Sequence, residues 1–342
     1  MVFFCVLALR NPAEEIALST FSPGELFGAG TGTLLAFTIA GFMGIESSAM
    51  YSEEAVNPAK TIPNATLVSV AVVSVFYGFS SWAIAQSAGE SNVVASAQEH
   101  GSDLFFNFIA QSGFPQLVPI IQALLVTSLF AAVTSFHNSI SRYLMALGRE
   151  EVIWKTLGAT GIDGAPVKAS LTQSGVSVAA IAIAVFFQFI TGGDPAFPST
   201  IVFSWMSNAG GFGLVFLFLI TSISVLLYFK KRLDKYSAFV TTITPLVAIV
   251  GFGAMFMLIL TNFDNLIGDA ELWYLVFVIP GLILLCGIAG FLRGEHLKKN
   301  KPNVYHNIGS GHPPNHSAQF NGAPLSGQRH EEHSAKLAGV YE

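Results

Sequence analysis

Seven stretches of this chain stay apolar for about 20 residues or more, the length that crosses roughly 30 Å of hydrocarbon, and they leave room for few other designs. They run near Ala29 to Met50, Ala65 to Ala88, Gln116 to Phe136, Ala169 to Ile190, Ser199 to Phe229, Ala238 to Thr261 and Leu272 to Leu292. In lipid every backbone N–H and C=O must pair within the protein, so a spanning segment is a helix or part of a closed barrel. These continuous runs lack a barrel's alternation. The fold is therefore expected to be all-α and polytopic. Its make-up of 52% hydrophobic and 11% charged residues, with 30 Phe, is far from that of a soluble domain. Met1 to Leu9 is also apolar but too short to span, and it lacks the basic start of a signal peptide. Residues 1–10 read as the stub of a preceding transmembrane helix.

Basic residues set the expected orientation. Lys60 follows the first span, Arg142, Arg149, Lys155 and Lys168 lie between the third and fourth, and Lys230, Lys231, Arg232 and Lys235 between the fifth and sixth. Arg293, Lys298, Lys299 and Lys301 follow the last, while Gly89 to Pro115, Thr191 to Pro198 and Asn262 to Glu271 contain no Lys or Arg. The positive-inside rule places the C-terminus in the cytoplasm and the stub's end outside. Residues 11–292 thus form the membrane domain. Residues 293–342, rich in Gly, Pro, His, Asn and Ser without a hydrophobic period, are expected to be a disordered cytoplasmic tail.

Other chemistries find little support. Six of the eight histidines lie at or beyond His296, but "HPPNH" and "HEEH" match no recognised metal-ligand spacing, and a solvated tail accounts for them. Cys5 and Cys286 sit in apolar segments at opposite ends of the chain and read as packed or lipid-facing thiols. A net charge of -5 gives no sign of nucleic-acid binding. No paired carboxylates or Ser/His/Asp set gather at one membrane depth, which argues against an enzyme. No cofactor is expected.

Within the first span, "AFTIAGFMGIESSAM" carries Gly41, Gly44 and Glu46. Glu46 is the one Asp, Glu, Lys or Arg deep inside any of the seven spans. A central acid costs about 2.5 to 3.5 kcal/mol even on lenient insertion scales, so it must face protein or water and is a functional candidate by default. The plain alternative is a hydrogen bond to a neighbouring helix. Gly41 and Gly44 permit close helix packing, and their weak helix propensity also permits a break. A break at the midplane is tolerated where it lines a site: the carbonyl end of the first half-helix attracts a cation and the amide end of the second an anion. Downstream, Glu53 and Glu54 mark the cytoplasmic rim, Asn57-Pro58 a turn, and Pro63 the first turn of the next helix.

The run Gly41-Phe42-Met43-Gly44-Ile45-Glu46, with Glu53-Glu54, Asn57-Pro58, Lys60, Ile62-Pro63 and Ala65 after it, resembles the sixth helix and following loop of the amino acid, polyamine and organocation (APC) permeases. "SFHNSISRYLMALGRE" resembles the end of that family's eighth helix, and Phe203 to Arg232 its tenth. The likeness covers about Phe21 to Gly309. It implies a LeuT-like fold: about twelve helices in two inverted five-helix repeats plus two more, with substrate held between broken helices one and six. This chain supplies the end of helix five and helices six to twelve.

The resemblance carries roles with it. Ala40, Gly41, Phe42, Met43, Gly44 and Ile45 fall at the substrate site, with the carbonyls of Gly41 to Gly44 holding an amino group. Ala40 stands where some antiporters place an aromatic lid, so that lid is absent. Phe136 aligns with a pocket wall, although a core Phe is an equal reading. Glu46 would couple proton movement to transport. His137 is the other titratable group at membrane depth and reads as packed. The implied activity is proton-coupled transport or exchange of an amino acid or amine across the plasma membrane.

Helices one to four have no counterpart here. Rocking one bundle against a scaffold needs both repeats. The chain is therefore expected to be a piece of a longer permease or a truncated product, inactive alone. A seven-helix receptor or sensor shares the span count and orientation. A retinal-binding version needs a lysine in the last span, which Leu272 to Leu292 lacks, and the midspan glycines with Glu46 are foreign to it.

Overall fold

The structure, a computed structural model, describes residues 1–16, 18–22, 24, 31–51, 55–161, 164–191, 201–230, 237–264, 274–310 and 313–314. Glu53, Glu54, Lys231, Arg232, Lys235, most of the loops 191–198 and 262–271, and residues 315–342 of the expected tail lie outside the described residues.

Among the described residues the fold is helical throughout, without strands. The helices are α1 (Val2–Arg10), α2 (Thr31–Gly41), α3 (Pro58–Ala88), α4 (Val93–His100), α5 (Leu104–Gln111) and α6 (Val118–Arg149). They continue with α7 (Val167–Thr191), α8 (Phe203–Phe229), α9 (Thr244–Thr261), α10 (Leu275–Asn300) and α11 (Pro302–Asn307). A 3-10 helix, Ile45–Tyr51, follows α2, and a π turn, Phe239–Ile243, leads into α9. Among the described residues, seven segments are long and apolar enough to cross a membrane: Leu34–Tyr51, Pro58–Ala88, Pro115–Arg149, Val167–Phe189, Phe203–Phe229, Phe239–Thr261 and Leu275–Asn300. The protein is a multi-pass membrane protein.

Several helices outrun their apolar stretch. The 31 residues of α3 rise about 46 Å at 1.5 Å each. This helix begins at Pro58, not near Pro63 as the sequence suggested. Pro58, at the first position, loses no intrahelical bond, and the exposed residues around Pro63 let solvent or headgroups satisfy the carbonyl that it leaves. Likewise α10 passes Leu292 and Arg293 and reaches Asn300, because good helix formers such as Leu297, Lys298 and Lys299 extend it beyond the hydrocarbon.

The contacts divide the chain into two units. The first holds Met1–Ser139 with Val176–Gly287. Its core joins α2, α8, α9 and the start of α10: Ala36, Phe212, Val215, Ile259, Phe263 and Ile279 are buried together. Phe212 stacks on Phe256 at 4.7 Å between centroids and meets Phe263 edge-on at 5.8 Å. A second cluster buries Phe4, Cys5 and Ala8 of α1 against Ala83 of α3 and Ile109 of α5. The Phe4 ring lies 4.5 Å from that of Phe105 and 5.4 Å from that of Phe108, so α5 turns its apolar side onto α1. Glu14 fastens the segment after α1 to the end of α3, accepting the Ser91 N–H at 3.3 Å and the Ser91 hydroxyl.

Outside these clusters, large apolar side chains point outward. Phe130 is 73% exposed and Phe189 80%, fractions that suit lipid and would be a liability in water.

The second unit holds Ile140–Gly175 with Ile288–Glu342. Here α6 ends in a Schellman motif: Val152 N–H bonds Leu147 O at 3.0 Å and Glu151 N–H bonds Gly148 O at 3.1 Å, with Glu151 at φ +61.

Candidate functional site

The first span is interrupted where its glycines stand. From α2 the pairing changes to three-residue bonds: Phe42 N–H to Ile39 O at 2.9 Å, Met43 N–H to Ala40 O at 3.2 Å, Ile45 N–H to Phe42 O at 3.3 Å and Ser47 N–H to Gly44 O at 3.0 Å. Gly44 takes φ +103, a conformation that side-chain-bearing residues rarely adopt. The 7-residue 3-10 helix after it is long for that geometry. The α-helical part described before the break, 11 residues, rises about 16 Å, roughly half of the hydrocarbon thickness.

Glu46 turns back onto this break. Its Oε2 accepts the backbone N–H of Gly44 at 3.0 Å, and the side chain is half-buried. The acid therefore satisfies its own backbone and reaches no neighbouring helix with this bond.

The two halves of the span rest on different neighbours. The α2 half packs on α8 and α9. A Cβ on Gly211 would lie 3.1 Å from Ala36 O and 3.6 Å from Ala40 Cβ, and one on Gly32 would lie 2.6 Å from Leu258 O. The 3-10 half packs on α3, where the Ser48 and Thr66 hydroxyls meet at 2.6 Å. Each hydroxyl also lies within bonding distance of a carbonyl on its own helix, Ser48 of Ile45 O at 3.3 Å and Thr66 of Ile62 O at 3.0 Å, so either can donate in that pair.

Of the residues singled out from sequence, the structure brings Ala40, Gly41, Phe42, Met43, Gly44, Ile45, Glu46 and Phe136 to one region. A Cβ on Gly44 would lie 3.7 Å from the Phe136 ring. His137, beside Phe136 on α6, is half-buried.

Sequence reasoning missed several groups. Tyr77 of α3 lies with Cε2 3.2 Å from where a Gly41 Cβ would be, and its ring meets that of Phe42 edge-on at 5.9 Å and 71°. Met43 Sδ lies 3.1 Å from the Cβ position of Gly210. Asn138 Nδ2 donates to Tyr51 Oη at 3.2 Å, tying α6 to the end of the 3-10 half. The Gly210-Gly211 pair was the one available signal, since adjacent small residues in a span permit backbone approach. Tyr77 gave none, because an aromatic residue in a span is ordinarily lipid-facing or core.

Two other features bear less weight. An open groove of about 530 Å³ runs along α7 and is lined by Val178, Ile181, Ala182, Val185, Phe186 and Phe189. It offers a charged ligand no polar handle. Among the described residues no group of three or more His, Cys, Asp or Glu is placed to hold a metal ion.

Comparison with known proteins gives two findings. A family model described as amino acid permease matches residues 2–307. The branched-chain amino acid permease BcaP of Lactococcus lactis subsp. cremoris (strain MG1363) is 28% identical over 148 residues, which cover 43% of this chain and 30% of that protein. The match thus spans under a third of that relative's length. No solved structure matches the chain.

Proposed function

Because the chain belongs to the amino acid permease family, we propose that it contributes the broken-helix part of a substrate site to a permease that moves an amino acid across the plasma membrane. The observation that carries this reading is the interrupted span with Glu46 folded onto Gly44 and Phe136 against the same glycine. The C-terminal end of α2 presents carbonyl dipoles at the break, which suit a substrate ammonium. Glu46 is the proton-coupling group: taking up a proton weakens its hold on the Gly44 amide and so links protonation to the shape of the break. Ala40, Phe42, Met43, Ile45 and Phe136 offer apolar walls, which favour an apolar substrate side chain. A relative named as a branched-chain amino acid permease supports the same class. Basic residues at the α6–α7 connection and near the C-terminal end of α10 support a cytoplasmic C-terminus.

The test is uptake of radiolabelled leucine into sealed vesicles carrying the permease, with valine, lysine and glutamate as competitors. Accumulation blocked by valine but not by the charged amino acids is the expected result. Binding without accumulation would point to a receptor and overturn the reading. No observation favours that second class.

A further inference from the structure

In the second unit the connection from α6 to α7 is held by the end of α10 and by α11 with the turn after it. Glu150, one residue past the end of α6, is only 7% exposed, and a carboxylate so enclosed requires hydrogen-bond donors. Its Oε1 accepts the N–H of Gly309 at 3.0 Å. Gly309 has φ +87, so the turn that aims this N–H at Glu150 needs glycine. On another side, Arg293 Nε of α10 donates to Val152 O at 3.0 Å. Leu157 of the connection, Leu297 of α10, and Val304 and Asn307 of α11 are all buried. The connection also lies backbone against backbone on the end of α6. A Cβ on Gly158 would stand 2.4 Å from Arg149 N, and one on Gly148 would stand 2.5 Å from Gly158 N.

We propose that residues 302–310 are a strap that locks the α6–α7 connection, with Glu150 and Gly309 as its buckle. Among its described residues the connection has no regular structure beyond a four-residue 3-10 turn, Lys155–Gly158, to order it. Its order is therefore drawn from the residues that grip it. Whatever lifts residues 302–310, whether a partner or a modification, frees residues 150–158 with them. This inference does not depend on what the protein transports.

Hydrogen–deuterium exchange on the full chain in lipid nanodiscs tests it. Glu150→Ala and Gly309→Pro, which remove acceptor and donor respectively, should raise exchange in 302–310 and in 150–158 together, by about tenfold for the loss of one such hydrogen bond. Glu150→Gln keeps an oxygen that can accept the same N–H and should retain most of the protection. The strap is overturned if 150–158 keeps its original exchange while 302–310 is freed, or if Glu150→Gln exchanges as fast as Glu150→Ala. Should Glu150→Ala fail to accumulate, Gly309→Pro decides alone, because Gly309 is exposed and near the end of the described chain.

Discussion

Glu46 accepts the N–H of Gly44 at 3.0 Å, two residues back along its own backbone, within the break that follows the end of α2 at Gly41. One side chain thus closes the gap that the glycines open. Glu46→Gln keeps an acceptor for this amide but loses the titration, so uptake should persist in reduced amount with a flattened pH profile. Identical pH profiles in the two forms would remove Glu46 from coupling. Glu46→Ala leaves the amide without its acceptor and should lower stability by about 1–3 kcal/mol in thermal unfolding.

The two glycines of the break should respond differently. Gly44 has room, with the Phe136 ring 3.7 Å from a built Cβ, but φ +103 makes any side chain strained. Gly44→Ala is expected to cost roughly 1–2 kcal/mol. At Gly41 the limit is space, because Tyr77 stands 3.2 Å from the Cβ position. Gly41→Leu should displace Tyr77, extend α2 and abolish leucine binding in equilibrium dialysis. If binding survives, the segment is a packing helix and no site.

The contact between α2 and α8 should be intolerant of a methyl group. A Cβ on Gly211 would lie 3.1 Å from Ala36 O, and a helix backbone cannot yield as a side chain can. Gly211→Ala should destabilise by about 1–3 kcal/mol, the usual cost of overpacking. Gly290→Ala is the control: nothing lies within 4 Å of its Cβ position, so the better helix former should be neutral or stabilise by up to about 1 kcal/mol. Melting temperatures of the two variants should move in opposite directions, or only the first should move.

Glu14 gives a pH dependence outside the spans. The Ser91 hydroxyl first, and the Ser91 N–H second, hold its carboxyl below the ordinary value of 4.5. A depressed carboxylate contributes stability that is present above its unfolded value and fades as pH falls through the lower, folded one. The tie between Glu14 and the turn at Ser91 should thus persist at pH 5 and loosen as pH falls below 4.5, seen as faster amide exchange around Ser91. Ser91→Ala should move that transition upward. Because Glu14 is fully exposed, global stability should change little.

What the sequence determined by itself is what the bilayer enforces locally. Seven spans were legible because lipid offers no partner for a backbone amide, so hydropathy alone dictates helix. The break was legible because Gly41 and Gly44 weaken a helix wherever they stand, and Glu46 was legible because an acid at that depth must have a reason. The start of α3 was misjudged by about a turn, since Pro58 and Pro63 both fit a first turn locally. Tertiary structure alone decided that the two halves of the span part company, one onto α8 and α9 and the other onto α3. It also placed Tyr77 on Gly41, Gly211 under Ala36 and Glu150 under Gly309. The last of these pairs stands 159 residues apart in the chain. Such pairings follow from how whole helices share apolar and small surfaces, and a one-dimensional pattern of hydropathy and propensity carries no term for them.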